Sequence, residues 1–65
     1  MKYRVSATID IENDKGDETI SDITASFDVE AATLILAHND IRKKLEGVSA
    51  ITRIDIFSVE ELAAE

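Results

Sequence analysis

The chain contains no cysteine, no proline, no tryptophan and only two glycines. Without cysteine there is no disulfide to staple a small fold and no thiolate to hold zinc. Gly16 and Gly47 stand far apart, so neither belongs to a glycine-rich loop that cradles a phosphate before a helix. Basic residues are also scarce: seven Lys and Arg face fourteen Asp and Glu, a formal net charge of −7. Nucleic-acid binding takes its baseline affinity from cations that neutralise phosphates. This balance disfavours such binding and suits a protein partner with a basic surface. Long apolar runs are missing too. Ser6, Thr8 and Asp10 break the stretch after Lys2 and Arg4, which excludes a signal-peptide core there. Nothing approaches the ~20 apolar residues that span a bilayer. The expectation is a cytoplasmic protein with no membrane partner, no cofactor and no metal.

What is present is alternation. From Lys2 to Glu12 every odd position is apolar and every even one is polar. Successive strand side chains point to opposite faces, so this is a strand with one buried and one wet face. Asn13-Asp14-Lys15-Gly16 reads as a hairpin turn with Gly16 in the left-handed region. A second strand follows from about Thr19 to Val29, with Ile23, Ala25, Phe27 and Val29 inward. A three-residue loop would set Ala7 against Ile23, Val5 against Ala25 and Tyr3 against Phe27, all on the apolar face. Ile20 is out of phase with that row. A bulge at Ser21-Asp22 would turn it inward, toward Ile9 or Ile11.

The spacing predicts a helix over about Glu30–Glu46, capped by Asp28 and stopped at Gly47. Ala31, Leu34, His38, Ile41, Leu45 and Val48 form the stripe expected to lie on the sheet. Leu36 falls nearly opposite, beside Ala32, as a small outer apolar spot. A third strand over about Ile51–Ser58 has apolar groups in both phases, which means cover on both faces or a bulge. Ser58-Val59-Glu60-Glu61 matches a capping box, flanked by Phe57 and Leu62 as a hydrophobic staple. It offers a short C-terminal helix, which would have to dock on something.

The reading is one small α+β domain, residues 1–65. It is a two-layer β-β-α-β fold with a three-stranded, mainly antiparallel sheet in the order 2-1-3 and one helix on one face. Placement of the third strand parallel to the second is the alternative.

No catalytic set assembles. His38 is the only histidine, and no motif sets a nucleophile or an orienting partner against it. The acidic hairpin residues Asp10, Glu12, Asp14, Asp17 and Glu18 begin like an EF-hand loop. The match fails at Lys15, where glycine is needed, and at Ser21, where a bidentate Glu is needed. Three functions remain, the least favoured a nucleic-acid binder using Lys2, Arg4 and Arg53, which the net charge opposes; the other two come from different classes. One is a non-enzymatic protein-interaction module acting as a homodimer. A chain this short buries only ~60% of its unfolded surface, and small domains without staples gain stability by associating. Its expected contacts are Leu36, Ala32, Phe57, Val59 and Leu62. The other is an acidic inhibitor, a DNA mimic in charge, that uses the five hairpin acids against a basic partner protein.

Overall fold

The alternating segments become strands and the 3.6-period segment a helix, in the order the sequence pattern requires. The structure, a computed structural model, describes residues 1–13 and 15–63. Its elements are β1 (Lys2–Glu12), β2 (Thr19–Glu30), α1 (Leu34–Glu46) and β3 (Ile51–Glu61). The sheet has the order β2-β1-β3 and both pairings are antiparallel. The expected α+β architecture and strand order are therefore what the chain adopts.

Tyr3, Val5, Ala7 and Ile9 of β1 are buried against Ala37, Ile41 and Leu45 of α1. Val5 is fully enclosed, and burial of a side chain of that size contributes about 1.5–3 kcal/mol. The helix packs chiefly on β3, and less on β1 and β2. A helix of 13 residues spans ~20 Å, whereas strands of 11 or 12 residues reach ~37 Å. The helix thus covers about half the length of a molecule measuring 44 × 18 × 17 Å.

The hairpin is longer than expected. Asn13 pairs with Glu18, its N–H donating to the Glu18 carbonyl at 3.0 Å. Gly16 takes φ 71° as the turn demands. The Asn13 side-chain oxygen accepts from the Asp17 and Glu18 amides at 3.2 and 3.4 Å, which makes Glu18 the natural closing residue. The bulge at Ser21-Asp22 is present: Ile9 faces Ile23 and Ile11 faces Ile20, with only Asp10 between them on β1. Asp22 sits at φ 58°, a region that Asp tolerates better than most residues. One extra residue in the turn and one in the bulge move the register by two. Parity survives, and Tyr3, Val5 and Ala7 face Val29, Phe27 and Ala25 instead of the partners expected.

Three further expectations are corrected. The helix starts at Leu34, not Glu30, and its N-cap is Thr33, whose hydroxyl accepts from the Leu36 amide at 3.2 Å. Glu30 belongs to β2 because Lys2 is there to pair with it, and Asp28 is occupied by Arg4. The predicted stripe omits Ala37, which is fully buried, while Leu34 and Val48 at its two ends remain exposed. The third correction is at the C-terminus, where Ser58–Glu61 form no helix. The ladder with β1 runs on to Glu61, and Leu62 still donates its N–H to the Lys2 carbonyl at 2.8 Å. Ser58 faces Ser6 instead of capping anything. Residues 64 and 65, where that helix would have continued, lie outside the described residues.

The double phase of β3 comes from bulges and not from a second cover. The register slips between Ser6 and Ala7 and again between Asp10 and Ile11, leaving Phe57 and Thr52 as extra residues on β3. Each slip resets the alternation. Ile51, Ile54, Ile56 and Val59 consequently all reach the core, facing Ile11, Ile9, Ala7 and Val5.

Candidate functional site

Three surfaces carry the residues that could act. The first is the polar face of the sheet, where the even positions of β1 project. Arg4 grips Asp28 through Nε at 3.0 Å and Nη2 at 3.4 Å, and the hydroxyls of Ser6 and Ser26 meet at 3.0 Å. Farther along, Arg53 reaches Asp10 at 2.9 Å and Asp22 at 2.9 Å. The Asp22 amide also donates to Asp10 at 3.0 Å, so the bulge and the ion cluster support each other. Hydrogen bonds from Arg53 and from the Asp22 amide hold the Asp10 carboxyl below its ordinary range. Arg4 does the same to Asp28, and both guanidiniums are raised in return. Arg4 and Arg53 thus each hold carboxylates of their own chain, in exposed pairs that individually contribute little.

The second surface is the acidic hairpin. Asp10 is held by Arg53 and Asp22, and Asp17 by the Asn13 side-chain amide at 2.6 Å. Glu12 is half-buried and Glu18 is exposed. Asp14 lies outside the described residues. Of the four described acids, Asp10 and Asp17 are thus engaged by side chains of their own chain. No three His, Asp or Glu side chains among the described residues converge as metal ligands. His38 is half-buried, with Asn39 at 3.4 Å. No buried side-chain polar atom among the described residues lacks a partner, and a built ligand site commonly shows one. A cleft of about 860 Å³ at the strand ends, edged by Lys2, Asp28, Glu30 and Glu61, opens broadly to solvent.

The third surface is apolar. Ile23, Ala25, Phe27 and Val29 alternate as cleanly as the β1 row, yet all four are only half-buried. Ile20, next along the same strand, is 63% exposed. The bulge places it against Ile11, and α1 packs more on β3 than on β2. The first turn of α1 adds Leu34, Ile35 and Leu36, of which Ile35 is 69% exposed. Three consecutive exposed apolar residues on a helix are unfavourable unless a partner covers them.

The predicted contact residues divide between these places. Leu36 is 51% exposed and Ala32 is exposed with it. Phe57 is 59% exposed, on the edge strand β3. Val59 is half-buried and packs on the core opposite Val5. Leu62 is half-buried beside the start of β1. The sequence reading missed Ile35 and the whole inner row of β2. Ile35 could have been found, since it lies off the buried stripe as Leu36 does. The β2 row could not, because alternation records which face a residue takes and not how well that face is covered.

No helix among the described residues is long and apolar enough to cross a membrane. No family model, curated protein or solved structure matches this chain.

Proposed function

We propose that this chain is a small non-enzymatic protein-interaction module that works as a homodimer. One observation carries the reading: the inner row of β2, ending in exposed Ile20, belongs to the core by pattern but is left half-covered by the chain's own helix. A second body over that flank would complete the burial, and a further copy is the partner always present at matching concentration. The exposed run Leu34–Leu36 adds apolar surface of the same kind. The acidic-inhibitor reading draws no support from the hairpin, since Asp10 and Asp17 are already engaged.

Light scattering after size exclusion tests this directly. The expected mass is twice the 7.2 kDa of one chain, falling toward one chain on dilution. A Phe27→Lys variant is expected to run as a monomer that keeps its far-ultraviolet circular dichroism. A wild-type monomer at every concentration up to millimolar would overturn the reading.

A further inference from the structure

Both outer strands leave backbone groups unpaired, and the two edges differ. β3 is interrupted by its bulges at Thr52 and Phe57, a common device for blunting an edge. β2 from Ile23 to Glu30 pairs with β1 without a break and contains no Lys, Pro or Gly. Its hydrogen-bonding parity can be fixed. Ala31 donates to the Met1 carbonyl at 3.0 Å and the Met1 nitrogen donates to the Ala31 carbonyl at 3.1 Å. In an antiparallel ladder such mutually bonded pairs recur every second residue. Val29, Phe27, Ala25 and Ile23 therefore bond inward to β1. Thr24, Ser26, Asp28 and Glu30 point their N–H and C=O groups outward from the sheet.

We infer that this edge is the dimer interface: β2 of one copy pairs antiparallel with β2 of a second across a two-fold axis at Phe27, making one six-stranded sheet. The inference rests on the homodimer reading above and deepens it. Among two-folds near the middle of the unbroken run Ile23–Glu30, charge selects the register. A two-fold at Ala25 would set Asp22 opposite Asp28, and one at Ser26 would set Asp22 opposite Glu30. Like charges directly opposite each other are destabilising. A two-fold at Phe27 sets Ser26 opposite Asp28 and Thr24 opposite Glu30, with no acid facing an acid. It also stacks the two Phe27 rings and lays Ala25 against Val29, so the half-covered row becomes continuous with its copy. Asp28 and Asp22 of this edge already carry counter-charges on their own chain, from Arg4 and Arg53, which lowers the repulsion between two acidic bodies. Pairing over Thr24–Glu30 is ~23 Å long on a body 17 Å thick. That makes a contact of roughly 400 Å² per partner, about half of a standard interface, which fits a dimer that dissociates on dilution.

Amide hydrogen exchange, read residue by residue beside the light-scattering mass, decides the matter. In the dimer the amides of Thr24, Ser26 and Asp28 are expected to exchange at least ~10-fold more slowly than in diluted monomer. Ile54 and Val59, on the free edge of β3, are expected to be unchanged. A dimer whose Thr24, Ser26 and Asp28 amides stay fast overturns the edge assignment and leaves the homodimer reading standing. A monomer at all concentrations overturns both. Two single-cysteine variants test the register. In the Phe27 register the two copies of residue 27 are ~4.5 Å apart at Cα, within disulfide reach, so Phe27→Cys cross-links under mild oxidation. The copies of residue 25 lie ~13 Å apart, so Ala25→Cys does not. Cross-linking of Ala25→Cys without Phe27→Cys overturns the register.

Discussion

β1 and β2 carry the same pattern and meet different fates. Each alternates apolar and polar residues over most of its length, and they pair residue for residue from Lys2 and Glu30 to Ile9 and Ile23. Yet the inner row of β1 is buried from Tyr3 to Ile9, while that of β2 is only half-buried from Ile23 to Val29. The difference is position. β1 is central and lies under the helix; β2 is an edge, and α1 leans toward β3. Periodicity assigns a face, and cover depends on a helix half as long as the sheet it serves. The inner row of β3, the other edge, is half-buried as well, so the core closes most fully over the central strand.

The comparison can be broken most severely on the covered side. Ile41→Ala removes a buried side chain under the centre of the helix and is expected to cost about 2–5 kcal/mol at any protein concentration, measured by urea denaturation. On the open side, Phe27→Ala is expected to cost about 1–2 kcal/mol in dilute solution, where the ring is half-exposed, and more at high concentration, where the second copy covers it. Equal costs at both concentrations would mean that β2 has no second cover. Gly16→Ala places a Cβ at φ 71° and 2.9 Å from the Glu12 carboxylate. The expected loss is about 1–2 kcal/mol, with dimer mass unchanged, because the hairpin lies beyond the proposed interface. Thr33→Ala, which removes the helix cap, is expected to lower stability by about 1 kcal/mol.

The polar face supplies a pH test of smaller size. Asp10 and Asp28 are held below the ordinary carboxylate range. Their folded values lie under the unfolded one near ~3.9. Their contribution is present above that value and lost as pH falls through the folded values. The melting temperature is expected to be flat between neutral and mildly acidic pH and to fall in stronger acid. Asp28→Asn, lacking one such group, is expected to fall less over the same interval.

Much of the fold was legible because several signals agreed. The faultless alternation of β1 marked it as central, and the out-of-phase Ile20 announced the bulge at Ser21-Asp22. What was lost was lost to competition between local and non-local pairing. Asp28 and the Ser58-Val59-Glu60-Glu61 segment are good caps taken alone, but β1 extends far enough to engage both in its ladders. The double phase of β3 left cover on both faces or a bulge open, and bulges account for it. For the candidate site, Leu36 and Phe57 were legible as apolar residues out of phase with their neighbours. The β2 flank was not, since nothing in its own sequence says that the helix passes to one side.

In the proposed dimer, folding of this chain is completed by a second copy. The most direct test is the urea midpoint of unfolding at two protein concentrations a hundredfold apart. Where the dimer is the populated folded state at both concentrations, the hundredfold gains about 2.7 kcal/mol per dimer, which at a slope of ~2 kcal/mol per molar urea moves the midpoint up by about 1.4 M. A midpoint identical at both concentrations would show that the single chain is the folded unit and would contradict the account.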